Sequence, residues 1–289
     1  MKIDLRNYQQ DAIKFALKVK RCLFCMRVGS GKTICAMFAL RAFFKRKLID
    51  KAVVACTKSS VPVFIEDFKE KAGLDVPVIE EPDDFVNFFK NKKDKVCIIK
   101  HSMFEKAGND LITIKKLEKI YDSGCKVALV IDEAHKMQNP EGVQHDAYFH
   151  IEEMFDRVIL MTATPYSSCL SQFYGLIHLI YQDIWKSKRA FYDRYIDEII
   201  IKDPRTHRPI RKEKVAYRNL KEFRSMIEPF TYFYYPSIPL VHLTKTCKLS
   251  EEHYQEYLHL CWGCIDSETR EKINKSKGNI NVTNNGEQK

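Results

Sequence analysis

The 289-residue sequence predicts an α/β fold, a doubly wound and mainly parallel sheet with a helical appendage. Three observations carry that expectation. Five short apolar runs recur through about residue 180, amphipathic stretches lie between them, and beyond residue 180 the strand signal fades. The runs are continuous in hydrophobicity, as expected of parallel strands covered on both faces. Strands alternating with helices build a doubly wound sheet, whose ligands bind beyond the carboxyl ends of the strands.

Taken in order, "QQDAIKFALKVK" reads as a helix leading into the first strand, "CLFCM" (22–26). The amphipathic "GKTICAMFALRAFFKRK" follows, and "AVVAC" (52–56), "VCIIK" (96–100), "VALVID" (127–132) and "RVILM" (157–161) supply the remaining strands. "IWKSKRAFYDRYIDEIII" and "NLKEFRSMIEPFTYFYY" look helical and flank a basic loop. A short strand then leads to a helix with Ser250 as N-cap and Glu251 and Glu252 in its first turn, where negative charge suits the helix dipole. The expected organisation is a sheet domain over 1–182, a basic helical protrusion over 183–246, a connecting segment over 247–265, and a polar tail over 266–289 without aromatics, read as disordered.

A net charge of +10 suggests a polyanionic partner. Much of it is local: residues 202–224 hold nine Lys or Arg against three Asp or Glu. A charge run is often only a solvated face. A nucleic-acid backbone is the sharper alternative, because neutralising phosphates releases counterions. Arg208, Arg211 and Lys212 are the candidate contacts there. The first residues lack the apolar core of a signal peptide and no apolar run could span a bilayer, so the chain is expected to be intracellular, with no membrane partner. Ten cysteines are scattered along the chain, several of them inside apolar runs, and read as reduced thiols. The pairs "CLFC" (22–25) and "CWGC" (261–264) are read the same way, not as zinc ligands. A lysine-, isoleucine- and asparagine-rich composition points to an AT-rich genome, in a bacterial cytoplasm or a virus- or phage-infected cell.

Chemistry concentrates in two stretches. "MRVGSGKT" (26–33) joins a strand to a helix. Gly29 and Gly31 let the backbone around Ser30 turn so that N–H groups converge on phosphate oxygens. Lys32 would reach the β/γ-phosphates of ATP, and Thr33 would place its hydroxyl on magnesium. The full phosphate-loop pattern expects glycine where this chain has Met26. In "ALVIDEAHKMQNP" (128–140), a buried run ends in adjacent acids. Beside a phosphate loop, Asp132 fits the role of holding the magnesium, and Glu133 that of orienting and deprotonating the attacking water.

The motifs in series resemble the Swi/Snf-type ATPases of helicase superfamily two. "DEAHKMQNP" resembles motif II, with "KMQNP" closer to that family than the four-letter box alone. "LRNYQQDAI" (5–13) resembles the Q motif, implying that Gln9 recognises adenine. "VVACTKSSVPVFIEDF" (53–68) is similar to motif Ia and "IIKHSMF" (98–104) to the next backbone-contacting turn, implying nucleic-acid contacts at Thr57, Lys58, His101 and Ser102. "LMTATPYSSCLSQFYGLIHLI" (160–180) resembles motif III and the helix after it, implying that Thr162 and Thr164, with His135, couple the nucleotide site to the nucleic-acid track. "KLSEEHYQEY" (248–257) resembles the start of the path to a second lobe. The resemblance covers roughly residues 3–260 and implies the first RecA-like lobe of an ATP-dependent double-stranded-DNA translocase. The family's second RecA-like lobe carries arginine fingers, worth ~10³–10⁵ in rate in P-loop enzymes. The 289 residues leave no room for it, so nucleotide binding with weak hydrolysis is expected until such a lobe, covalent or from a partner chain, completes the site. The DEAH letters alone would suit an RNA helicase. A silent ATP- or DNA-binding module is the alternative outside enzymes.

Overall fold

The computed structural model describes residues 4–122, 124–165, 170–202 and 209–236, with the backbone alone over 198–202 and 209–215. Its described elements belong to one compact unit, Met1–Pro236. The first helix, α1 (Asn7–Lys18), leads into β1 (Arg21–Met26), α2 (Lys32–Lys45) and β2 (Lys51–Cys56). After α3 (Val61–Asp67) a π-helical turn over Phe68–Ala72 precedes β3 (Val78–Ile79) and α4 (Pro82–Lys90). Then come β4 (Val96–Lys100), α5 (Ser102–Gly108), α6 (Leu111–Asp122) and β5 (Val127–Ile131). The helix α7 (Val143–Phe149), β6 (Arg157–Thr162) and α8 (Ser171–His178) complete the part expected to be strand-rich.

The expected fold class holds. Seven parallel strands form one sheet in the order β3-β4-β2-β5-β6-β1, with a seventh at the β1 edge described below. Strands β1, β2 and β5 are buried along essentially their whole length because apolar layers cover both faces. Alternation within β1 shows the two layers directly. Cys22, Phe24 and Met26 join one core cluster with α1 and α2, and Leu23 and Cys25 join the other with α5, α7 and α8. Cys22 and Cys25 thus face opposite layers as free, buried thiols, which bears out their reading as small hydrophobes. "CWGC" lies outside the described residues.

The region after residue 182 requires a correction. Helices form at α9 (Lys188–Tyr195) and α10 (Leu220–Ile227), but each expected helix runs on into a strand. Beyond Tyr195 the isoleucine-rich "IDEIIIK" becomes β7 (Ile196–Lys202), paired antiparallel with β8 (Pro209–Tyr217), so the expected basic loop is largely a β-hairpin. Beyond Pro229, which a helix interior does not tolerate, "TYFY" becomes β9 (Thr231–Tyr234). This strand is no part of an appendage: it pairs with β1, Leu23 opposite Thr231 through Met26 opposite Tyr234. β-Branched and aromatic residues favour the pleated surface, and here they override the helical period. The segments expected over 247–265 and 266–289, including the helix capped by Ser250, lie outside the described residues.

Helix α8 is seated by a close backbone contact. A Cβ added at Gly175 would stand 1.6 Å from the carbonyl oxygen of Gln138, in the stretch after Asp132 and Glu133. In a helix, Gly→Ala ordinarily stabilises by about 0.5–1 kcal/mol. Gly175→Ala is expected to do the reverse, destabilising by ~3 kcal/mol as the helix is pushed off that backbone. Urea unfolding checks this, and a neutral or stabilising result would contradict the contact.

Candidate active site

The strand order gathers the chemistry. Strands β5, β6 and β1 are consecutive neighbours, and neighbouring strands lie about 4.8 Å apart. The acids after β5, the hydroxyls at the end of β6 and the loop after β1 therefore share one stretch of the carboxyl edge. Strands β2 and β4 lie on the far side of β5, so the turns after them flank the acids from the opposite direction.

After β1 the chain bends at Gly29 and Gly31, both with φ of +77°, a region that residues with a Cβ enter at a cost. Gly31 is the N-cap of α2, so the open end of that helix, with its unpaired N–H groups and positive dipole, faces the loop. Met26 stands where glycine was expected because it is still the last residue of β1 and wholly buried. Its extended backbone has no need of glycine, and the turn falls to Gly29 and Gly31. Ser30 is buried, its hydroxyl donating to the Arg27 carbonyl at 2.6 Å. The Lys32 ammonium donates to the Met26 carbonyl at 3.2 Å, folded back over the loop. Thr33, half-buried, is the second residue of α2.

Gln9 stands against this loop. Its amide donates to the Ser30 carbonyl at 3.1 Å and accepts from the Arg6 backbone N–H at 3.0 Å. A Cβ on Gly31 would lie 2.6 Å from the same amide nitrogen. Tyr8, absent from the sequence-based candidates, donates its hydroxyl to the same Ser30 carbonyl at 3.0 Å.

Asp132 is 8 % exposed. Burial, with the Glu133 charge beside it, pushes its carboxyl up to about 6, against the pull of the Glu133 backbone, Lys32 and the Ser60 hydroxyl. Ser60, a second residue that sequence reasoning missed, is also tied to Thr57 at 2.8 Å. A buried carboxylate next to a second acid is short of positive charge. Glu133 adopts a left-handed conformation, φ +47°. Such backbone strain in a non-glycine residue collects at functional sites.

From Glu133 a chain of contacts reaches β6. Its carboxylate is 3.1 Å from His135 Nδ1, which is 3.2 Å from the Thr162 hydroxyl. With the proton on Nδ1, the imidazole donates to both oxygens. Thr162 is wholly buried, and its hydroxyl accepts the Thr164 backbone N–H at 3.0 Å. Thr162 thus touches both of the other coupling candidates, and His135 touches Glu133.

The nucleic-acid candidates divide. Lys58 and Ser102 are exposed and Thr57 half-buried, at the turns after β2 and β4. His101 is only 6 % exposed and lies beneath that surface. Burial holds its imidazole below its ordinary range, and its backbone N–H donates to the Cys56 carbonyl at 3.2 Å, joining the two turns. Arg211 and Lys212 lie on β8 opposite Ile201 and Ile200. Arg208 lies outside the described residues.

A family model described as "Type III restriction enzyme, res subunit" matches residues 2–167, more than half of the chain. The chain belongs to that family. Two relatives of this restriction-enzyme family member are each 23% identical over 199 residues. They are the "Putative ATP-dependent RNA helicase L538" of Acanthamoeba polyphaga mimivirus, covering 68% of this chain and 37% of that protein, and the "Uncharacterized ATP-dependent helicase YqhH" of Bacillus subtilis, covering 69% and 33%. The chain thus spans about a third of their length. Two solved structures of the Sulfolobus solfataricus SWI2/SNF2 ATPase core share its fold at 15% identity. The one in complex with dsDNA gives a TM-score of 0.60 over 96% of this chain and 57% of that one, and the core alone gives 0.58 over 96% and 55%. The chain is accordingly a helicase-family domain with the fold of an N-terminal RecA-like lobe. Among the described residues no helix is long and apolar enough to cross a membrane.

Proposed function

We propose that this domain is the ATP-binding lobe of a motor that moves along double-stranded DNA, hydrolysing ATP with magnesium once a second RecA-like lobe completes the site. One observation carries the proposal. The open N-terminus of α2, wrapped by Gly29–Gly31, stands two strands from a buried Asp132 and a strained Glu133, and the strand between them ends in Thr162.

The loop amides and Lys32 hold the β- and γ-phosphates, and Gln9 recognises the adenine. Thr33 and Asp132 would hold magnesium, which when bound neutralises charge on the phosphates. Glu133 orients the attacking water and accepts its proton. His135, Thr162 and Thr164 link that carboxylate to the end of β6. Thr57, Lys58 and Ser102 contact the backbone of the nucleic acid, joined by Arg208 and by Arg211 and Lys212 on β8. Duplex DNA is favoured by the "KMQNP" tail of motif II and by the dsDNA complex of the structural neighbour. The name of the viral relative favours RNA. A source in a bacterium or a virus-infected cell fits both relatives.

ATP turnover measured with duplex DNA, duplex RNA and no nucleic acid separates these readings. The expected result is stimulation by duplex DNA that declines as salt rises, because the contacts are to phosphates. Stimulation by RNA alone would overturn the choice of DNA. With a second RecA-like lobe supplied, no stimulation by either would favour the silent module.

A further inference from the structure

Strand β9 and the two residues after it are bound to three separate parts of the nucleotide edge. The Tyr234 ring stacks on Tyr8 with centroids 3.7 Å apart and planes 11° from parallel, and the Tyr232 hydroxyl donates to the Tyr8 carbonyl at 2.8 Å. Tyr8 in turn holds the Ser30 carbonyl. The Arg27 backbone N–H donates to the Tyr234 carbonyl at 3.0 Å, and its guanidinium donates to the Pro236 carbonyl at 3.2 Å. Tyr235, 48% exposed, donates its hydroxyl to the Ala163 carbonyl at 3.0 Å, between Thr162 and Thr164. Closing the sheet edge would need only apolar bulk. A half-exposed stacked pair and an exposed tyrosine tied to a turn go beyond that need.

We propose that Tyr234 and Tyr235 are positioning residues of the ATP site. Tyr234 sets the phosphate loop through Tyr8 and the Ser30 carbonyl. Tyr235 sets the turn after β6 through the Ala163 carbonyl. The backbone leaving β9 is thereby held to the loop that takes the phosphates and to the turn that meets His135, so displacement of either is felt by the same short strand. This rests on the function proposed above.

The test uses Tyr234→Leu, Tyr234→Phe and Tyr235→Phe in the full chain. The readouts are binding of a fluorescent ATP analogue with magnesium, ATP turnover, hydrogen exchange at residues 28–31 and 163–164, and the thermal midpoint. Loss of the stack in Tyr234→Leu is expected to weaken nucleotide binding roughly three- to tenfold. It should also speed exchange in the phosphate loop at an unchanged midpoint, and Tyr234→Phe should restore both. Tyr235→Phe should leave affinity unchanged, speed exchange at 163–164 and lower turnover several-fold. A purely structural role would instead lower the midpoint and leave affinity and exchange alone, which would overturn the inference, as would a phenylalanine at 234 that binds as weakly as leucine. If wild-type protein binds no ATP, the proposed function falls and this inference with it. If wild type binds and all three variants match it, only this inference falls.

Discussion

Glu133→Gln is expected to lower ATP turnover by about 10²–10⁴-fold, the range that a positioned general base contributes, while nucleotide affinity stays within a few-fold of wild type. Glutamine keeps the shape and the contact to His135 Nδ1, 3.1 Å from the native carboxylate, but it cannot accept a proton from water. Single-turnover hydrolysis together with equilibrium binding of ATP separates the two quantities. Turnover retained in the glutamine variant would remove Glu133 from the chemistry.

Gly31→Ala is expected to weaken ATP binding by at least about a hundredfold. Two penalties coincide there. The backbone at φ +77° disfavours any Cβ, by roughly 1–2 kcal/mol, and the new carbon would lie 2.6 Å from the Gln9 amide nitrogen. To make room, Gln9 must release the Ser30 carbonyl, so the loop and the adenine contact are disturbed together. Gly29→Ala supplies the comparison. It shares the φ of +77° but opens onto free space, so it should cost ~1–2 kcal/mol, about tenfold. Equal losses at the two glycines would show that the contact with Gln9 plays no part.

Much of the sheet was legible because its strands are continuous apolar runs cut off by charged or small residues. The five expected strands match β1, β2, β4, β5 and β6 to within a residue. What escaped has a common cause. "IDEIIIK" and "TYFY" follow helical stretches directly, and short isoleucine- or tyrosine-rich runs satisfy either period until a partner strand is known. β3 has only two residues, Val78 and Ile79, and is defined by its pairing with β4. The same division holds for the site. The turns at Gly29, Gly31 and Glu133 show themselves in local backbone geometry, each with a positive φ, and so they could be read from the chain. Tyr8 and Ser60 act through contacts across strands, with the Ser30 carbonyl and the Asp132 carboxylate, and nothing in their own neighbourhood announces it. The burial of His101 could not be read from the chain either, because depth below the surface is a tertiary property.

The most direct measurement of the central claim is a calorimetric titration of ATP into this chain with magnesium, repeated with excess chelator and with Lys32→Ala. Saturable binding at one site is predicted for the wild type with magnesium. It should be strongly weakened by the chelator, since Thr33 and Asp132 then have no cation to hold, and lost in Lys32→Ala, which deprives the phosphates of their nearest positive charge. Wild-type binding that survives unchanged in Lys32→Ala would place the nucleotide elsewhere and contradict the account.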